Sequence, residues 1–167
     1  RIDKYAFTDL NITSISLTNV EEVKDYAFQN TNIDMLQASK LHTIGKHAFE
    51  NTKIKELSLA SIETISEYAF NNVETMYNAY LYNVSYIGDF AFNNCKYLNK
   101  VYFTNKNSLL VNNSEAIDIR VGESATFSNW GFYTDGRLRV YVPDGVTETG
   151  NTYLSLYQNL FSGNENY

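Results

Sequence analysis

The chain is short of several things, and most of these shortages exclude something. It holds one cysteine, so no disulfide can close within it, and that single thiol says little about the redox state of its compartment. Its 13 lysines and arginines stand against 19 acids, a net charge of −6, which argues against a partner that needs a basic track along phosphates. No apolar run approaches the roughly 18 residues of a membrane-crossing helix. No Gly-rich phosphate loop, nucleophile elbow or metal-ligand helix motif appears, and neither a cofactor nor a metal is expected. No signal peptide is visible. Arg1 falls in the middle of a repeat unit, so the expectation is a processed or excised piece whose upstream part carried any export signal.

What the chain has is repetition. Ala-Phe occurs at Ala6-Phe7, Ala27-Phe28, Ala48-Phe49, Ala69-Phe70 and Ala91-Phe92, with phenylalanine spacings of 21, 21, 21 and 22. Five residues before each Phe stand Ile2, Val23, Ile44, Ile65 and Ile87, and eight before stand Val20, Leu41, Ile62 and Val84. An aromatic-like slot two before holds Tyr5, Tyr26, His47, Tyr68 and Phe90; an Asx slot two after holds Asp9, Asn30, Asn51, Asn72 and Asn94. Then comes an apolar pattern with strand periodicity at its end: Ile12, Ile15, Leu17; Ile33, Leu36, Ala38; Ile54, Leu57, Leu59; and, one residue later, Met76, Ala79, Leu81 and Leu98, Val101, Phe103.

A unit of 21 or 22 residues cannot bury this many apolar side chains alone, whereas units stacked about 4.8 Å apart share a continuous core. The expected fold is an α/β repeat solenoid: a right-handed leucine-rich-repeat coil with a parallel strand ladder on one side, short helical or turn segments carrying Phe and Ala on the other, and a C-terminal capping helix. The Asx slot fits a turn, because Asn tolerates left-handed geometry and bonds neighbouring backbone. Residues 1–103 hold five units, the first truncated, and residues 104–167 an irregular final repeat and cap, in one continuous domain. Ile117, Ile119 and Val121 alternate as a strand would. Tyr153, Leu156, Tyr157, Leu160 and Phe161 share one helical face, with Asn151 or Thr152 to start it and Gly163 to end it. This helix, with Trp130, is assigned to covering the open end of the solenoid.

The units resemble the BspA-like (Treponema-type) leucine-rich repeats of bacterial cell-surface proteins, which read roughly I-x-x-x-A-F-x-x-C-x-x-L-x-x-I-x-L. The stretch IGDFAFNNCKYLNKVYF, residues 87–103, follows that pattern nearly in full. The resemblance resumes at LRVYVPDGVTETGNTYLSLYQNLF, residues 138–161, while residues 104–126 depart from it. It implies surface display and adhesion or host contact.

Candidate chemistry is weighed against packing. Cys95 with His42 or His47 has the makings of a thiol and base. Yet Cys95 takes the slot of Leu10, Thr31, Thr52 and Val73, and His47 takes the tyrosine slot two coils away, beyond hydrogen-bond reach; both read as packing substitutions. Three residues before each Phe stand Lys4, Asp25, Lys46, Glu67 and Asp89. Glu67 and Asp89 would be spaced like the carboxylates of a retaining glycosidase, but the slot as a whole reads as a solvated charge ladder. The sequons at Asn11, Asn83 and Asn112 are short enough to arise by chance and matter only in a eukaryotic secretory pathway.

The outward strand residues carry the functional information. They are small and polar early (Ser14, Ser16, Thr18) and tyrosine-rich later. Tyr80, Tyr82, Lys100, Tyr102, Arg139 and Tyr141 form the candidate ligand-binding set on the concave face, against the plainer alternative that tyrosine is a good strand residue and this chain has 14 of them. The expected function is a non-enzymatic extracellular binding module of a bacterial surface protein, taking a protein or glycan ligand. The alternative is a structural spacer or accessory domain of a larger surface protein.

Overall fold

The computed structural model describes residues 1–81, 84, 86–98, 100–103, 110–111 and 139–141. The capping helix, the alternating Ile117–Val121 segment, Trp130 and Tyr82 lie outside the described residues.

Each coil contributes one longer and one two-residue strand. The longer set is β1 (Ser14–Ser16), β3 (Met35–Gln37), β5 (Glu56–Leu59), β7 (Asn78–Leu81), β9 (Lys100–Phe103) and β11 (Arg139–Tyr141). The short set is β2 (Glu22–Val23), β4 (Thr43–Ile44), β6 (Thr64–Ile65), β8 (Tyr86–Ile87) and β10 (Leu110–Val111). All pairings are parallel and join equivalent slots of successive coils: Ile15 opposes Leu36, and Leu57 opposes Ala79, which opposes Val101. In the short ladder Val23, Ile44, Ile65, Ile87 and Val111 stand in one row, extended by an isolated bridge from Ile2 to Val23. The apolar slot five residues before each Phe is therefore a second parallel sheet, where β-branched side chains pack on one another. The long ladder has one interruption among the described strands: β1 pairs β3, and β5, β7, β9 and β11 pair in series, but no pairing joins β3 to β5.

No helix forms among the described residues, which corrects the α part of the expected fold. A helix keeps its backbone bonds within itself, each N–H reaching the carbonyl four residues back. Here they alternate. Tyr26, Phe28 and Asn30 donate to the Lys46, Ala48 and Glu50 carbonyls of the next coil at 2.9, 2.8 and 3.0 Å, while Ala27, Gln29 and Thr31 donate three residues back at 3.3 Å. The same alternation recurs at 47–52 and 68–73. Half of the donors are thus committed to the neighbouring coil, and the segment is a chain of turns.

Those turns need two left-handed residues per coil. The aromatic slot (Tyr5, Tyr26, His47, Tyr68, Phe90) and the Asx slot (Asp9, Asn30, Asn51, Asn72, Asn94) all have φ between 54° and 61°. At the Asx slot the strain is small and a side-chain ladder offsets it: the amides of Asn30, Asn51, Asn72 and Asn94 each donate to the Asx oxygen one coil earlier, at 2.8, 2.6, 3.1 and 2.8 Å. At the aromatic slot the left-handed backbone costs about 1–2 kcal/mol per residue. The rings there stack at 5.0, 4.8, 4.9 and 5.1 Å between centroids, an arrangement contributing about 0.5–1.5 kcal/mol per pair. His47 keeps the column continuous because its flat ring lies between Tyr26 and Tyr68.

Inside runs the phenylalanine column. Phe7, Phe28, Phe49, Phe70 and Phe92 stack at 5.0, 5.1, 5.4 and 5.3 Å. The last four are fully buried, and Phe7, covered on one side by the second coil, is partly buried. The alanine before each Phe is buried from Ala27 onward, small where the turns of successive coils crowd. Thr31 and Thr52 enter the core because each hydroxyl donates to the Phe carbonyl three residues back, at 2.8 Å in both cases.

Candidate binding face

Alternation along the long strands sends one set of side chains into the core and the other outward. In β3, Leu36 is buried between exposed Met35 and Gln37; in β5, Leu57 and Leu59 are buried and Glu56 and Ser58 exposed. In β7, Ala79 and Leu81 are buried while Asn78 and Tyr80 are half-exposed. Strand register brings the tyrosine positions together: Tyr80 is opposite Tyr102, and Tyr102 opposite Tyr141. One step earlier in the strands Asn78, Lys100 and Arg139 are in line. Five of the six candidate ligand-binding positions are thereby set in two adjacent rows on three neighbouring strands, with Tyr82 outside the description.

The residues weighed for catalysis sit differently. Cys95 is fully buried, and its thiol donates to the Phe70 carbonyl at 3.3 Å. Burial pushes that thiol up to about 12, a hydrogen bond with the Val73 backbone acting weakly the other way. It fills the core slot where threonines stand in other coils. His47 donates or accepts through Nδ1 at 2.8 Å from Glu50 Oε2. Glu50 also accepts from Gln29 Nε2 at 2.6 Å and from Asn71 Nδ2 at 2.5 Å, and Asn93 continues the row to Asn71 at 2.8 Å. This inner polar row is a feature that sequence reasoning missed; its signal was the slot one after each Phe, which reads Thr8, Gln29, Glu50, Asn71, Asn93 and is polar in every unit.

In the charge slot, Lys46 Nζ is 3.3 Å from Glu67 Oε2, and the Lys46 amide donates to Asp25 Oδ1 at 3.0 Å. Asp89 has one carboxylate oxygen buried with no hydrogen-bond partner among the described residues. Desolvation, and then the neighbouring Glu67 charge, raise its pKa. Among the described residues no group of three His, Cys, Asp or Glu is placed to hold a metal ion.

A family model for the BspA type leucine-rich repeat region matches residues 1–117 in six copies. The chain belongs to that family. The match runs past the five units read from the spacing, and β10 accounts for the difference: Val111 takes the place in the short ladder that Ile87 holds one coil earlier. No curated protein and no solved structure matches the chain. Membership of the BspA-type family points to a surface repeat protein. Among the described residues no helix is long and apolar enough to cross a membrane.

Proposed function

We propose that this BspA-type chain is an extracellular binding module of a bacterial surface protein, engaging a protein or a glycan through the outward face of its long strands. The contacts in this reading come from Tyr80, Tyr82, Tyr102 and Tyr141, with Lys100 and Arg139 donating to acidic or hydroxyl-rich groups. The observation that supports it is the register that sets Tyr80, Tyr102 and Tyr141 opposite one another on β7, β9 and β11. Backbone held by a parallel ladder needs little ordering on binding, and tyrosine offers a flat apolar body with a polar tip. In this reading the module has no turnover of its own: buried Cys95 serves packing, and Glu67 is engaged with Lys46.

The test is retention of the 167-residue chain on a panel of immobilised bacterial and host polysaccharides and extracellular proteins. Replacing Tyr80 and Tyr102 together by alanine is expected to weaken the strongest interaction by about 2 kcal/mol or more, in the hot-spot range, with the melting temperature little changed. Changing Ser14, Ser16 and Ser58 is expected to do almost nothing. A double variant that binds as the parent does would overturn the reading, and retention by no member of the panel would leave the chain as a spacer.

A further inference from the structure

The interruption of the long ladder between β3 and β5 is occupied by a cleft of about 330 Å³. Asp34, Met35 and Leu36 line it from one coil, Lys55, Glu56 and Ser58 from the next, and Tyr77 from the coil after. It opens outward, since Met35, Glu56 and Ser58 are the exposed residues of their strands. Met35 and Tyr77 are 59% and 42% exposed, large apolar side chains left in solvent on either side of one opening. The interruption falls where the inward column narrows to Ala38 between Leu17 and Leu59. The two coils stay joined at the near end of the cleft, where the Lys53 and Lys55 amides donate to the Ile33 and Asp34 carbonyls at 2.8 and 3.4 Å, while β3 and β5 themselves do not pair.

The charges around the cleft do not balance. Lys55 Nζ pairs with Asp34 Oδ2 at 3.1 Å, which leaves the Glu56 carboxylate, held at 3.3 Å by the neutral amide of Asn78, without a cationic partner among the described residues. Two carboxylates face one ammonium, in a protein whose net charge is −6. We infer that this cleft is a binding site for a basic side chain, arginine or lysine, of an extended peptide segment. The apolar stem lies along Met35 and Leu36, the cationic head reaches Glu56 and the free side of Asp34, and the face of Tyr77 flanks the cation. Long basic side chains suit such a site because they bury methylenes while the charged head stays wet, and a cation over a tyrosine ring is favourable within about 6 Å. The volume lies at the lower end of ligand pockets, about 300–1,000 Å³, and so matches one long side chain better than a folded partner. The inference does not rest on the tyrosine rows of β7, β9 and β11, and it fails or stands independently of them.

The experiment uses the full chain and four pools of acetylated, amidated nonapeptides, random except for a central Arg, Lys, Gln or Glu. Binding is read by fluorescence anisotropy at low and at 0.15 M salt. The Arg and Lys pools are expected to bind at least tenfold tighter than the Gln pool, the Glu pool not to bind, and the preference to shrink with salt as exposed charges are screened over about 8 Å. Glu56→Gln and Tyr77→Ala are each expected to lower Arg-pool binding at least fivefold. Glu21→Gln, the same charge change at an exposed position away from the cleft, is expected to leave it unchanged. All these positions are at the surface, and an unchanged melting temperature certifies folding. Equal binding of the Arg and Gln pools, an equal loss in Glu21→Gln and Glu56→Gln, or binding of a neutral oligosaccharide that Tyr77→Ala abolishes while the Arg pool is ignored, each overturns the inference.

Discussion

Replacing Phe49 by alanine tests the central physical claim, that stability comes from columns shared between coils. Phe49 is fully buried and stacks on Phe28 at 5.1 Å and on Phe70 at 5.4 Å, with ring planes 12° and 5° from parallel. Removing the ring leaves a cavity walled by the turns of its own and both adjoining coils, and backbone bonds between coils keep those turns from closing over it. A buried Phe→Ala change costs about 3–5 kcal/mol, and loss of two ring contacts places this site in the upper part of that range. Phe7→Ala supplies the internal comparison. Phe7 stacks on one ring only and is partly exposed, so the same chemistry should cost about half as much, ~1.5–2.5 kcal/mol. Urea unfolding followed by circular dichroism reads both, each as a shift in midpoint with the slope held constant. For a chain of 167 residues, about 2–4 °C per kcal/mol converts the Phe49 change to a drop of roughly 8–20 °C in melting temperature. A Phe49→Ala loss under about 1 kcal/mol, or equal losses at Phe7 and Phe49, would refute the shared-column account.

Three further outcomes follow from individual sites. Gly45→Ala should destabilise by about 1–3 kcal/mol in the same assay, because an added Cβ would lie 2.5 Å from the Asp25 amide nitrogen and 2.7 Å from the Lys24 carbonyl carbon of the coil before; a neutral result would mean the coils separate freely at that corner. Asp89→Asn should raise stability at neutral pH. The folded-state pKa of Asp89 is raised, so stability falls as pH climbs from the ordinary carboxylate value through the raised folded-state value and is lowest above it, and the variant's advantage should vanish as pH falls below the ordinary carboxylate range; an Asn variant less stable than the parent at pH 7 would contradict this. Cys95, enclosed and with its thiol pushed up to about 12, should resist an aromatic disulfide reagent at pH 8 in the folded protein and react fully in urea, whereas rapid native-state labelling would remove it from the core.

Repeat spacing alone settles which residues meet. In coils of constant length a residue lies beside its counterpart one period away, so a spacing of 21 or 22 is already a contact map: the Phe column, the Asn ladder and the register of Tyr80 with Tyr102 follow from counting. What counting does not reach is how each backbone group chooses among partners. Turn bonds three residues back and bonds to the adjoining coil compete for the same donors, and the distance to that coil decides between them, so a short helix and a pair of turns look alike in one dimension. Tertiary structure settled this in favour of turns with two left-handed residues per coil, and turned the isoleucine slot into a second sheet. It also placed the interruption of the long ladder. Met35 precedes Glu56 by 21 residues (56 − 35), the same interval by which Ser14 precedes paired Met35 (35 − 14), so nothing in the spacing marks the break. The tyrosine rows were therefore legible in the sequence, whereas the cleft at Met35, Glu56 and Tyr77 lies where two equally spaced strands do not pair, which counting does not reach.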